Sequence, residues 1–421
     1  MTDRRYSTAA AAALLALTLA ATGCSSKAGT GSAGKEDSQG VRTGDGITDK
    51  VIPLGVLTDL TGVYASLGKS VTQSQQLWAK QLNAAGGICG RKVELTVRDH
   101  GYNPQKAVSA YTELEGEVAG YVQFIGSPFV AAVKQRVETQ DKGLILPQAW
   151  SASLLGSPYV RVVGATYDIE TINAIDFLLT HKLIAKGDRI GHVYFEGDYG
   201  ENALQGSKYA AEQAGLTVVE QKIKPTDNDM SGQVTALKKA GVKAIMVSAG
   251  PRQAASLVGV AAAGRFDVPI IGNNSAFAPQ LLATPAGPAL QKNYYVAAST
   301  LPIGSPAAGP AALAKAYKAA YPKDSLDNGV AAGYTAGKIF EEALKRACAD
   351  KNLTREGMAK AVRSMNAFDN GFGMTHDFTD PKAPSTRQSV IMRPDAKTPG
   401  GLKVVQEATA SKPAEGFKFG E

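Results

Sequence analysis

From Val51 onward the chain alternates short apolar runs of strand length with segments of helical period, and this alternation constrains the fold more than any other feature. VIPLGVL (51–57) precedes a helical pattern over 70–87, where Val71, Leu77, Trp78 and Leu82 share a face before a Gly86-Gly87 stop. The unit recurs as KVELTVR (92–98) before 104–119, YVQFI (121–125) before 129–140, and GLILP (143–147). A second series starts after YVRVVG (159–164). It runs through helix 168–182, RIGHVYF (189–195), helix 200–214, TVVEQKI (217–223), helix 230–240, VKAIMVS (242–248), helix 252–264, VPIIG (268–272) and NYYVAAS (293–299). Apolar runs separated by amphipathic helices make parallel sheets covered on both faces. The expected class is therefore α/β, with two doubly wound parallel-sheet lobes. An amphipathic stretch at 329–349 carries Val330, Tyr334, Gly337, Phe340 and Leu344 on one face and is expected to return to the first lobe. From about residue 368 the chain is rich in Gly and Pro and reads as irregular β structure, with SVIMR (389–393) and LKVV (402–405) as short strand-like pieces.

Ahead of the first strand lies MTDRRYSTAAAAALLALTLAATGC (1–24). Arg4 and Arg5 give a positive head, and Ala9 to Ala21 an apolar stretch too short to span a bilayer, which needs roughly 20 apolar residues. Residues 1–23 read as a signal peptide. Ala21, Thr22 and Gly23 before Cys24 resemble a bacterial lipobox, with Ala21 in the place usually held by leucine. On that reading Cys24 is lipidated and anchors an extracytoplasmic protein to the cell membrane; the other reading is plain secretion with an incidental cysteine. Residues 24–49, rich in Gly, Ser, Lys, Asp and Thr, read as a flexible linker.

Removal of the signal leaves about 400 of 421 residues, too many for one compact core and suited to two lobes. The formal charge of +7 falls to about +6 without Asp3, Arg4 and Arg5. The basic residues are dispersed and lack aromatic stacking partners, so no nucleic-acid footprint exists. In an oxidising compartment Cys89 and Cys348 are expected to pair as a staple. Neither has a second cysteine or histidine at ligand spacing, so no metal is expected, and no cofactor is called.

Enzymatic readings fare poorly. GVYASLGKS (62–70) sits between strand and helix, but five residues separate Gly62 from Gly68 where a phosphate loop requires four. No G-x-S-x-G elbow occurs. His100, His181, His192 and His376 are scattered, and His192 lies within a predicted strand, where a satisfied structural histidine is the expectation.

Five strings in order resemble the type I solute-binding proteins of ABC importers, in the leucine/isoleucine/valine-binding family. They are LTGVYASLGKSV (60–71), LNAAGGICGRKVEL (82–95), RDHGYNPQKAV (98–108), GDYGENALQG (197–206) and GYTAGKIFEEALKRA (333–347). The resemblance, covering about Val51 to at least Asp377, implies two lobes joined by hinge strands. The N-terminal lobe would comprise 50–167 with 300–367 and the C-terminal lobe 168–299 with 368–421, crossing near 167, 299 and 367. It implies a monomer that is no enzyme: a binding lipoprotein that closes on a small amino-acid-like, carboxylate or amide solute and delivers it to an ABC permease. The alternative is a ligand-sensing module that signals to a membrane partner.

Ligands of open α/β sheets sit beyond the carboxyl ends of the strands. The candidate contacts in those loops are Tyr64, Ser127, Pro128, Trp150, Ser151, Tyr199, Gly250, Asn274 and Ser275. The resemblance assigns the ligand carboxylate to the turns at Ser127 and Ser151, and a closing role to Tyr199. Trp150, one of two tryptophans, is a candidate stacking wall or a core residue. Two departures stand out. Gly272-Asn273-Asn274-Ser275 lacks the acid that would meet an amino-acid ammonium, and a pocket tyrosine is missing near Ala249-Gly250-Pro251. Leucine, isoleucine and valine are therefore expected to bind weakly unless another acid, such as Asp168 or Glu196, takes the amine.

Overall fold

The first strand–helix series closes into a four-stranded parallel sheet. In the computed structural model, which describes residues 35–419, its strands are β1 (Val51–Thr58), β2 (Lys92–Asp99), β3 (Gly120–Phe124) and β4 (Leu144–Ile145), ordered β2-β1-β3-β4. β1 pairs with β2 in register from Val51 opposite Lys92 to Thr58 opposite Asp99. Helices α1 (Ala65–Ala84), α2 (Pro104–Leu114) and α3 (Ser127–Arg136) make the crossovers. Every residue of β3 is buried, as a central strand covered on both faces requires. The segment read as a signal peptide, with Cys24, lies outside the described residues.

The second series repeats this winding. α4 (Tyr167–Thr180) leads into β5 (Arg189–Phe195), α5 (Asp198–Ala214), β6 (Thr217–Ile223), α6 (Ser231–Lys239), β7 (Ala244–Ser248), α7 (Pro251–Ala263), β8 (Ile270–Gly272), α8 (Gly287–Asn293) and β9 (Tyr294–Ala298). The parallel part is ordered β6-β5-β7-β8-β9. The fold is therefore α/β with two doubly wound, parallel-rich sheets. In both, the order reverses between the first strand and its second neighbour, and a crevice opens there at the carboxyl ends.

Two expectations need correction, and two helices were not foreseen. The segment from residue 368 is more regular than its composition suggests: β10 (Ser389–Pro394) and β11 (Leu402–Thr409) extend the second sheet as an antiparallel edge pair. Alternate residues of β11 are exposed, and that dilutes the apolar signal. Residues 35–49 are not a loose linker. Lys35–Glu36 and Arg42–Thr43 pair with each other, Arg42–Thr43 also pairs with Asn352–Leu353, Val41 is buried, and Asp37 forms a buried ion pair with Arg91. Two helices lie in the stretches that gave no clear pattern, α9 (Ala308–Ala320) and α11 (Arg355–Arg363), flanking α10 (Asn328–Ala349). In α9 only Pro310, Leu313 and Tyr317 are buried, too few to mark a face in an alanine-rich string.

α10 packs along α1 in the first lobe. Gly329, Gly333 and Gly337 recur every four residues on the contact face. A Cβ on Gly333 would stand 2.5 Å from the Val71 carbonyl oxygen, and one on Gly337 2.6 Å from the Trp78 ring. The backbones can approach this closely only without side chains there. Trp78 is 1% exposed and donates from Nε1 to Glu341 Oε2 at 3.0 Å; truncation to Ala would cost about 3–5 kcal/mol. Cys89, after α1, and Cys348, near the end of α10, form a disulfide with Cα atoms 6.0 Å apart. His192 is held between Ser248 Oγ at 2.9 Å and Ser207 Oγ at 2.8 Å, and burial pushes it down to about 3, so it is a neutral structural residue.

The chain passes between the sheets three times, and the passages touch. Ala165 N donates to Ser299 Oγ at 2.8 Å, and Gly164 N to Ser385 Oγ at 2.8 Å. The third passage thus lies near Ser385, later than the composition break at 368, because Phe372 and Phe378 are still buried against α10 and its neighbours.

Candidate functional site

A cavity opens where the carboxyl ends of both sheets face each other, with an empty volume of about 880 Å³ including its mouth. The loop after β1 contributes Tyr64, the first turn of α1 Leu67, the turn after β3 Gly126 and Ser127, and the loop after β4 Gln148 and Trp150. From the other sheet come Tyr199 at the start of α5, Asn274 and Ser275 after β8, and Ala298 to Thr300 at the end of β9. No lining residue is charged.

Local structure fixes these side chains. Asp59 accepts from Gly62 N at 2.5 Å and Tyr64 N at 2.8 Å, so the Gly62 to Ser70 loop spends these amides on its own carboxylate and does not form an anion nest. That arrangement presents Tyr64, whose ring meets Tyr102 edge-on at 5.0 Å. Trp150 donates to the Val163 carbonyl at 2.7 Å and packs edge-on against Tyr167, which lies 4.3 Å from Tyr199. Gly126 takes φ +105° to cap α3, so Ser127 and the positive end of α3 face the cavity.

Polar demand inside is largely unmet. Oγ1 of Thr335, Oε1 of Gln148 and both amide atoms of Asn328 are buried with no hydrogen-bond partner among the described residues, while the hydroxyls of Tyr64, Ser127 and Ser275 reach only those of Tyr102, Tyr167 and Tyr199. Buried polar groups of native proteins are ordinarily satisfied, so such a cluster marks a place for something else to bind.

Of the nine candidate contacts, Tyr64, Ser127, Trp150, Tyr199, Asn274 and Ser275 come together on this wall. Pro128, Ser151 and Gly250 do not line it. Pro128 is spent in the first turn of α3. Ser151 caps the short turn Ala152–Leu154, accepting from Ser153 N. Gly250 is screened by Val63 and Gln253, whose atoms lie 2.7 Å from where its Cβ would be. Tyr102, Tyr167, Asn328 and Thr335 escaped sequence reasoning. Two of them follow a passage or a long connection, where no periodic pattern points inward.

The acid question resolves on a residue not considered. Glu196 is exposed, and Asp168 is tied to Asn202 Nδ2 at 2.9 Å and to Thr166. Behind Asn274 stands Glu170, fully buried, accepting from Asn274 Nδ2 at 2.9 Å, Asn274 N at 3.2 Å and Asn273 Nδ2 at 3.3 Å. Burial pushes its carboxyl up to about 8, although these amides pull the other way. Glu170 therefore turns its charge-bearing group away from the lumen and presents Asn274 instead.

A family model described as periplasmic binding protein matches residues 51–399. The solved structure of a fatty acid ABC transporter substrate-binding protein from Thermomonospora curvata is 53% identical, with a TM-score of 0.89, covering 91% of this chain and 98% of that one. A branched chain amino acid ABC transporter protein from Thermus thermophilus with bound valine is 19% identical with a TM-score of 0.79, covering 88% and 99%, which shows the fold alone. Among sequence relatives, Leu/Ile/Val-binding protein homolog 3 of Brucella melitensis is 28% identical over 199 residues. That match takes in 46% of this chain and 53% of the relative, so the chain spans about half the length of that relative. The chain belongs to the periplasmic binding protein family.

Proposed function

We propose that this protein is an extracytoplasmic solute-binding lipoprotein of an ABC importer, anchored through Cys24, whose ligand is an apolar-chain carboxylate of the fatty acid type. The observation that carries the reading is the uncharged cavity, with a cluster of hydroxyls at one end and Leu67, Val71, Ile125, Val163 and Ala332 along its wall. A carboxylate is well served by hydroxyls and the amino end of a helix without a buried cation. An α-ammonium would find no carboxylate on the wall, since Glu170 is engaged behind Asn274. The 53% identical fatty acid transporter protein supports the same ligand class.

The two sheets would move as lobes that close on the ligand, and the loaded form would be handed to a membrane permease. Calorimetry and thermal shift on the chain from Cys24 onward, against straight-chain carboxylic acids of graded length and against leucine, isoleucine and valine, test the reading. Binding by one or more acids, with the amino acids weak, is expected. Tighter binding of any of the three amino acids than of every unsubstituted acid would overturn it.

A further inference from the structure

The cavity does not end at the strand-end loops. α1 and α10 run side by side in the same direction, because Gly329 sits against Leu67 and Ser70, Gly333 against Val71, and Gly337 against Trp78. Asn328, Gly329, Ala332 and Thr335 all line the cavity, so it continues down the α1–α10 seam into the first lobe. Asn328 stands at the head of α10, and Thr335 lies two turns further, roughly 10 Å along the axis. Between the contacts at Val71 and Trp78, Thr335 is thus set back from the loops that carry Ser127 and Ser275.

Leu67, Val71 and Ala332 line this limb, yet its two polar side chains are unspent. Thr335 is 1% exposed, and its Oγ1 has no partner among the described residues. Neither Nδ2 nor Oδ1 of Asn328 has one, although the neighbouring Asp327 is fully engaged with Ser70 and the first amides of α10. A limb built only for alkyl chain would place Val and Leu here, because an unmet buried hydroxyl or amide is unfavourable. Asn328 offers both donor and acceptor, and Thr335 a rotatable hydroxyl.

We propose that the limb between α1 and α10 recognises a second polar function on the ligand, a hydroxyl or carbonyl carried along the chain, through Asn328 and Thr335. This rests on the chain-carboxylate reading above and narrows it to oxygenated acids. A site built to hydrogen-bond a ligand oxygen discriminates strongly against the analogue without it, since its own groups are then left unpaired.

The test compares chain-matched carboxylic acids, unsubstituted and bearing one hydroxyl or keto group at successive positions, by calorimetry on the chain from Cys24 onward. At least one positional isomer should bind about tenfold or more tightly than its unsubstituted parent. Thr335→Val and Asn328→Leu should each bring that ratio toward one. The wild-type ratio decides the matter alone should either variant fail to fold. Equal binding of parent and all oxygenated isomers would overturn the proposal while sparing the chain-carboxylate reading, and would make the limb a water site. Binding of no acid at all would overturn both.

Discussion

Asn274 donates its side-chain amide to Glu170 Oε1 at 2.9 Å and its backbone N–H to Oε2 of the same carboxyl at 3.2 Å. Desolvation raises the folded-state value of Glu170 to about 8 from an ordinary 4.5, so the native protein keeps a proton that the unfolded chain releases. The contribution is therefore greatest below about pH 4.5 and is lost as pH rises toward about 8. In Glu170→Gln that loss is absent. The stability advantage of wild type over the variant should shrink by an amount on the order of a few kcal/mol between about pH 5 and pH 8, read by denaturant unfolding. A constant gap across that range would mean that Glu170 is ionised throughout.

The same relationship sets ligand charge. Asn274→Asp places a carboxyl on the cavity wall beside Glu170, and two adjacent carboxyls share protons unless a cation joins them. Leucine brings such a cation, whereas isocaproate, its deaminated analogue, does not. The variant should gain about tenfold in affinity for leucine relative to isocaproate, by calorimetry. An unchanged ratio would show that position 274 does not face the ligand amine.

How much of this was legible beforehand varies with the kind of signal. The strands were readable because buried parallel strands such as β3 and β7 are short runs in which all but one side chain is apolar. α10 was readable because Val330, Phe340 and Leu344 recur at helical spacing, with Gly337 marking the approach of Trp78. The linker was misread because a few contacts, Val41 in the core and Asp37 on Arg91, dock a segment whose composition is otherwise that of a tether. Within the site, side chains at strand-end turns were accessible to reasoning, since topology alone sends those turns to the crevice. Thr335 and Glu170 were not: each sits inside a helix, and only the packing of that helix decides which way it faces.

The Cys89–Cys348 bridge closes a separation of 259 residues and ties the turn after α1 to the end of α10. On the chain-entropy account a loop of that length is worth about 5–6 kcal/mol, before any cost of native strain. The double variant Cys89→Ser, Cys348→Ser should melt well below wild type under oxidising conditions, and reductant should lower wild type toward the variant. Equal melting temperatures would show that the α1–α10 seam holds without the staple.

Three passages between the sheets meet at Gly164, Ser299 and Ser385, and their geometry makes the last prediction. Gly164 takes φ +113°, and a Cβ there would lie 2.9 Å from Ser299 Cβ, so Gly164→Ala is both strained and crowded. Ser385 Oγ accepts from Gly164 N and also meets His376 Nδ1 at 3.0 Å, while lying off the cavity wall. Ser385→Ala leaves the buried Gly164 N–H unpaired and should cost roughly 1–3 kcal/mol. If these passages are the hinge, saturating ligand should lower the radius of gyration of wild type in solution scattering, and Ser385→Ala, whose side chain lies off the cavity wall, should weaken binding. The same radius with and without bound ligand would mean a rigid cavity, and the passages would then be no more than connections between two fixed sheets.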